Sequence, residues 1–298
     1  MKTADTRILY FETGPHNEPT LRIKSGENFK VITQINRGPW LENHPEEQAL
    51  RKKIRGPNPS SGCIFVEGAE PGDMLRVQIK RITPHESGFT SFGGSNGAMP
   101  GWFGASEIGS HSRTVKIKDG YVYWDSKLKI KTQPMLGFLA AAPQYETRRN
   151  SWGGEWGGNL DVQEVCTGAS VYLPVEVPGA LLHIGDMHAI QGDGEICGAG
   201  GIETSGEALL SCEVLERPKR FRWPRIENRT HICVAANSRP AEEAFHLALQ
   251  DLIQWLEEEY GFARGDAYLL LGQVLEARVT QFVNPTFTYC VKLAKKYL

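Results

Sequence analysis

Three pairs of polar residues spaced two apart are the part of this chain that could do chemistry: Asn159 with Asp161, Asp186 with His188, and Asp193 with Glu195. On extended backbone, residues i and i+2 point to one face, so each pair would present two polar groups side by side. The last two pairs are joined through Gln191-Gly192, a connection tight enough to bring their faces together. Carboxylates beside an imidazole can bind a divalent cation or move protons. The bland alternative is a solvent-facing strand surface with ordinary turn carboxylates beside glycine. Pattern alone leaves both readings open and names no substrate.

Other nucleophiles are weaker candidates. Cys166 and Cys197 have His183 and His188 nearby in sequence, but an isolated cysteine is more often a small core residue. Ser205, in Glu203-Thr204-Ser205-Gly206-Glu207, lacks the G-x-S-x-G elbow. His44, His85, His111 and His246 have no partner pattern.

The elements that must position these residues read mainly as strands and turns. Leu21–Lys24 and Phe29–Thr33 alternate around Ser25-Gly26-Glu27-Asn28, and Cys63–Val66 and Met74–Ile79 flank a Glu70-Pro71-Gly72-Asp73 turn. Asp119-Gly120 predicts a hairpin between Val115–Ile117 and Tyr121–Trp124. Trp40–Pro59 reads as a surface excursion, Gly88–Gly109 as an irregular glycine-rich loop or a lid, and Arg217–Arg229 as an irregular surface connection. Only the C-terminal third predicts a convincing helix, with Ser238 as N-cap, apolar residues at Phe245, Leu249, Leu252, Ile253 and Leu256, and Gly261 as its stop. A short helix over Asp266–Val274 and strands Glu276–Val283 and Thr286–Leu293, split by Asn284-Pro285, would follow.

Composition removes several classes. With 33 basic against 35 acidic side chains the net charge is −2, which argues against nucleic acid as a partner. No apolar run is long enough for a membrane span, and the N-terminus shows no signal-peptide pattern. Six scattered cysteines without a C-x-x-C read as reduced, mostly buried thiols, so the expected location is the cytoplasm.

The segment Gly179-Ala180 followed by Gly185-Asp186-x-His188-Ala189-x-Gln191-Gly192-Asp193-Gly194-Glu195 resembles the signature of the acetamidase/formamidase family. Val66–Leu75 is similar to that family's E-G-A-x-P-G-D segment, Gly157–Asp161 to its G-G-N-x-D element, and the stretches Asp266–Leu270 and Val279–Pro285 to its C-terminal portion. The resemblance runs from about residue 20 nearly to the C-terminus. It implies a mainly β, sandwich-like fold with a small C-terminal α/β portion. Residues 1–130 would form an N-terminal β-rich part and 131–298 the site-bearing part of one compact unit.

The activity implied is hydrolysis of a small carboxamide to carboxylate and ammonia with a bound divalent metal, zinc by preference. Carried onto this chain, Asp186, His188, Asp193 and Glu195 become the site candidates, with Asn159 and Asp161 as neighbours. Our own allocation makes Asp186, His188 and Asp193 metal ligands, Glu195 and Asp193 catalytic carboxylates, and Asn159, Asp161, Gln191 and Glu203 substrate or supporting residues. A homodimer is the expected assembly, and a catalytically drifted small-molecule or metal-binding member of the same fold is the alternative. Two departures bear on which amide is cleaved. The family's usual histidine-tryptophan element is replaced by Thr13-Gly14-Pro15-His16-Asn17-Glu18-Pro19, and its acidic D-A segment by Gln34-Ile35-Asn36-Arg37-Gly38.

Overall fold

The computed structural model describes residues 1–36, 52–93, 97–102 and 109–298. Most of the expected Trp40–Pro59 excursion and parts of the glycine-rich stretch lie outside the described residues. The fold is mainly β. The principal strands are β1 (Asn28–Thr33), β2 (Ser60–Glu67), β3 (Asp73–Phe92), β4 (His111–Lys118), β5 (Met135–Ala140), β6 (Gly157–Asn159), β7 (Ser170–Pro174), β8 (Leu182–His188), β9 (Ala199–Glu216) and β10 (His231–Ser238). Helices α1 (Ala241–Tyr260) and α2 (Arg264–Val274) follow, and β11 (Glu276–Gln281) and β12 (Phe287–Ala294) close the α/β portion.

Long strands that change partners hold the sheet together. β3 and β9 run antiparallel from Asp73↔Glu216 to Ser91↔Ala199, with breaks in register that bend the ladder. β9 also takes β1 on its other edge, from Gly206↔Thr33 to Ser211↔Asn28, while β3 takes β7 near its start and β4 near its end. Gly88–Phe92, expected within a loop, is therefore strand, paired with His111–Val115. The predicted hairpin forms, with Asp119 at φ 51° and Gly120 at φ 76°, the left-handed pair that a tight two-residue turn requires. Apolar faces of these strands, including Phe29, Val31, Ile64, Leu75, Val77, Leu139, Leu182 and Ile184, enclose the main core.

β8 is the strand that matters for the site. β5 covers one of its edges, from Met135↔His188 to Ala140↔His183. Its other edge pairs first with β2, up to Gly185↔Ser60, and then with β9, at Met187↔Thr204 and His188↔Glu203. Asp186 falls at the change of partner, with φ 52°. A left-handed residue interrupts the regular pleat, and the gap between β2 and β9 opens where it does so.

The α/β end packs as a separate layer. Ala248, Leu252, Trp255 and Leu256 of α1 lie on Ile232, Val234, Ala236, Val291 and Leu293 of β10 and β12, with Ala267 and Leu271 of α2 beside them. Each large apolar side chain buried there is worth about 1.5–3 kcal/mol. Gly261 ends α1 at φ 72°, donating its N–H to Leu256 O. Ser238 does not cap the helix: it remains paired to Phe287 in the β10–β12 ladder, and the helix starts after Pro240 with no side-chain cap. The Arg217–Arg229 segment is not a plain surface connection either. Phe221, Trp223 and Arg225 are buried, and Arg225–Glu227 is a strand between β7 and β10.

Candidate active site

Because His188 and Glu203 are register partners on antiparallel strands, their side chains share one face, and His188 Nε2 lies 3.4 Å from Glu203 Oε1. Asp186, two residues back on β8, brings Oδ1 to 3.5 Å from the same nitrogen. The other ring nitrogen is held from behind. Gln191 donates Nε2 to Asp161 O (2.8 Å) and Thr280 O (3.1 Å), leaving its oxygen as the partner of His188 Nδ1 at 2.9 Å. Since that oxygen accepts, Nδ1 carries a proton and Nε2 faces the carboxylates.

Asp161 and Glu195 complete the cluster from two turns. Both adopt left-handed backbone, φ 49° and 41°, where a non-glycine residue costs about 1–3 kcal/mol and is kept by its surroundings. Asn284 Nδ2 donates to Asp161 Oδ2 at 2.8 Å. Two glycines make room. A Cβ at Gly137 would sit 2.4 Å from Asp161 Oδ1 and 2.8 Å from Asp186 Oδ2, and one at Gly201 would sit 2.4 Å from His188 Nδ1.

All five ionisable side chains are at most 5% exposed. Burial, with the Asp186 charge adding, pushes the Asp161 carboxyl up to about 7. Burial raises Glu203 to about 7 against the pull of His188, and burial followed by Asp161 holds Glu195 well above the usual carboxylate range. Burial alone would lower the His188 imidazole, but Glu203 and Asp186 raise it well above its ordinary value. The arrangement asks for a positive charge in front of Nε2.

A divalent cation fits that demand. Two overlapping sets, Asp161–Asp186–His188 and His188–Glu195–Glu203, each bring ligand atoms within 4.8 Å of one another. Among the described residues, Asp161 Oδ1, His188 Nε2, Glu195 Oε2 and Glu203 Oε2 are buried with no hydrogen-bond partner. Buried polar atoms are ordinarily paired, and orphans spread over two sets that share His188 fit the donors of a divalent cation.

The structure brings together Asp161, Asp186, His188, Glu195 and Glu203, and places Gln191 directly behind the imidazole. Asp161 and Glu203, expected as supporting residues, stand in the cluster itself. Asp193 does not join it. Its exposed carboxylate accepts from Gln163 Nε2 (3.0 Å) and lies 2.9 Å from Arg278 Nε. The expectation that Asp193 and Glu195 share a face assumed extended backbone. Gly194 at φ 82° and Glu195 at φ 41° form a turn instead, which sends the two carboxylates apart. Asn159 sits one layer out, accepting from Asn58 Nδ2 at 2.6 Å.

Sequence reasoning missed Asn58, Asn284 and the role of Asn36. Asn36, in one of the segments that depart from the family pattern, donates Nδ2 to Asn58 Oδ1 (2.7 Å) and reaches Asp186 Oδ1 at 3.4 Å. These isolated asparagines carry no spacing signal. The cysteine alternative loses its partners, because His183 is engaged by Ser60 Oγ and Asn17 Nδ2, and burial raises the thiols of Cys166 and Cys197.

Residues 139–295 match the model of the Acetamidase/Formamidase family. The chain is 32% identical to an acetamidase of Mycolicibacterium smegmatis over 84% of this chain and 81% of that one. It is 48% identical to a formamidase of Methylophilus methylotrophus over 62% of this chain and 58% of that one, so it spans somewhat over half of that relative's length. Among solved structures, an acetamidase from Bacillus halodurans superposes with a TM-score of 0.88 at 28% identity, covering 99% of this chain and 98% of that one. The matched residues include Asp161, Asp186, His188, Glu195 and Glu203, and the chain belongs to the Acetamidase/Formamidase family.

Proposed function

We propose that this protein hydrolyses a small linear carboxamide, of the formamide or acetamide kind, to carboxylate and ammonia, with a divalent cation held by Asp161, Asp186 and His188. The observation that carries the reading is the buried cluster in which four polar atoms lack partners among the described residues, in a chain whose relatives are named for amide substrates. One nitrogen and two carboxylate donors would suit zinc. When bound, such an ion polarises a carbonyl and lowers the pKa of water.

The chain's own residues supply the rest. Glu195 Oε2 faces the cluster unpartnered, and takes the proton released as water adds to the amide carbonyl carbon. The same carboxyl returns that proton to the nitrogen as the C–N bond breaks, so the amine leaves as ammonia rather than as an amide anion. Gln191 keeps the imidazole in its tautomer, and Glu203 sets its carboxyl beside Nε2. Burial of the whole set keeps bulk water from competing. The same reading takes the protein as a cytoplasmic homodimer.

Ammonia release from formamide, acetamide, propionamide and benzamide tests this, before and after prolonged chelation and with one divalent ion returned at a time. Release from the short amides, abolished by chelator and restored by one ion, is expected. Activity indifferent to chelator in protein verified metal-free would overturn the metal assignment. Full metal occupancy without hydrolysis of any amide would favour a binding module that has lost its chemistry.

A further inference from the structure

A row of alternating charges ends at the turn that carries Glu195. Lys292 Nζ lies 3.1 Å from both Glu276 Oε2 and Glu164 Oε1. Both Glu164 oxygens accept from Arg278 Nη2, at 2.8 and 2.6 Å, and Arg278 Nε lies 2.9 Å from Asp193 Oδ1. Gln163 bridges the same gap, accepting from Arg278 Nη2 (3.2 Å) and donating to Asp193 Oδ1 (3.0 Å). The Glu164, Lys292 and Arg278 side chains are 10%, 16% and 21% exposed, so this is a partly desolvated network rather than a chance surface pair.

Gln163 and Glu164 on one side, and Asp193 on the other, lie on the two segments that supply the carboxylates held on left-handed backbone. Gln163 and Glu164 follow Asp161 by two and three residues, and Asp193 precedes Glu195 by two. Arg278, on β11, is the side chain that touches both segments. The Asp193 turn is also fixed to the end of β11 through its backbone: Gly194 N–H donates to Val279 O (3.1 Å) and Phe282 N–H donates to Gly194 O (2.8 Å). Asp161 and Glu195 each sit in left-handed backbone and each would relax if released. A guanidinium combines planar donors, here given by Nη2 to Gln163 and Glu164, with a charge that pairs Asp193 through Nε.

We propose that Arg278, through Asp193 on one side and Gln163 and Glu164 on the other, is a positioning residue that sets the gap between Asp161 and Glu195. The catalytic consequence rests on the amidase reading above, whereas the clamp itself does not. The test uses full-length Asp193→Ala, Asp193→Asn and Arg278→Met proteins, read by amide hydrogen exchange at Gly194 and by steady-state amide hydrolysis. Asp193→Ala and Arg278→Met are expected to lose protection at Gly194 and to lower kcat by about 10–100-fold while KM stays nearly constant. Asp193→Asn, which keeps the oxygen that accepts from Gln163 Nε2, should recover most of both. Because the Asp193 side chain is 65% exposed, its variants keep the test available if Arg278→Met does not fold. Unchanged Gly194 protection in Asp193→Ala would overturn the clamp. An Asp193→Asn protein as impaired as Asp193→Ala would overturn the hydrogen-bonding role and require the charge itself. If the wild type hydrolyses no amide, the amidase reading fails alone, and lost protection rescued by asparagine still supports the clamp.

Discussion

Gln191 Oε1 lies 2.9 Å from His188 Nδ1, and both hydrogens of the Gln191 amide are committed to the carbonyls of Asp161 and Thr280. The amide therefore cannot rotate to offer a donor to the ring without stranding two buried carbonyls. Gln191→Leu removes the acceptor that selects the tautomer, and divalent-ion affinity is expected to fall about 10–100-fold. Competition between the protein and a coloured chelator for zinc would measure it. Affinity equal to that of the wild type would mean that packing alone orients the imidazole.

Glu195→Gln keeps the shape of the side chain and removes its capacity to hold a proton. If Glu195 is the base, turnover should drop by about 10²–10⁴ while metal content and melting temperature barely move. If metal content falls together with activity, Glu195 is a ligand in the His188–Glu195–Glu203 set instead. Full activity would remove it from the site.

Why Glu195 was legible in the sequence and the place of Asp193 was not follows from backbone geometry. The i,i+2 argument holds for Asp186 and His188, which stay on one strand and point to one cluster even with Asp186 in left-handed backbone. It fails for Asp193 and Glu195 because a glycine at φ 82° turns the chain between them. Glu203 was placed as a neighbour because nothing local reveals that it pairs with His188 across two strands, a relation that only long-range register creates. The same holds at the helix start: Ser238 has the chemistry of a cap, but the β10–β12 ladder claims it first. The mainly β fold and the C-terminal helices were readable because turn residues and a 3.6-residue apolar period are local signals.

Asp251 ties α1 to the segment that precedes β10. Its Oδ1 accepts from Arg225 Nε at 2.8 Å, and its Oδ2 accepts the backbone N–H groups of Arg222 and Trp223 at 3.0 Å each. Asp251 and Arg225 are 2% and 1% exposed, and the guanidinium also lies over the rings of Phe221 and Trp255. Removing one member of such a pair leaves a buried charge without its principal partner. Asp251→Ala is expected to cost about 3–5 kcal/mol in urea unfolding. Asp251→Asn, which keeps acceptor oxygen, should cost less. Equal losses for the two variants would show that the charge, not the hydrogen bonding, holds the helix.

His183 predicts a pH dependence with a definite sign. It is fully buried on β8, with Asn17 Nδ2 3.1 Å from its Nε2 and Ser60 Oγ 3.0 Å from its Nδ1. Asn17 Nδ2 also donates to Glu12 O, which fixes that amide as a donor, so Nε2 accepts and Nδ1 carries the proton. Among the described residues no carboxylate partners either ring nitrogen, and burial pushes the imidazole down to about 3 from an ordinary 6.5. Between those values the unfolded chain binds a proton that the folded one refuses. The stability this group contributes is thus complete above pH 6.5 and is lost as pH falls towards 3, at up to about 1.4 kcal/mol per pH unit. Carboxylates elsewhere also respond to acid, so the comparison is with His183→Gln, which shares them. Urea unfolding at pH 7, 6, 5 and 4 should show the wild type losing stability more steeply than the variant by roughly one proton's worth. Parallel curves would mean that His183 takes up its proton in the folded state, and that the acid sensitivity of the protein lies elsewhere.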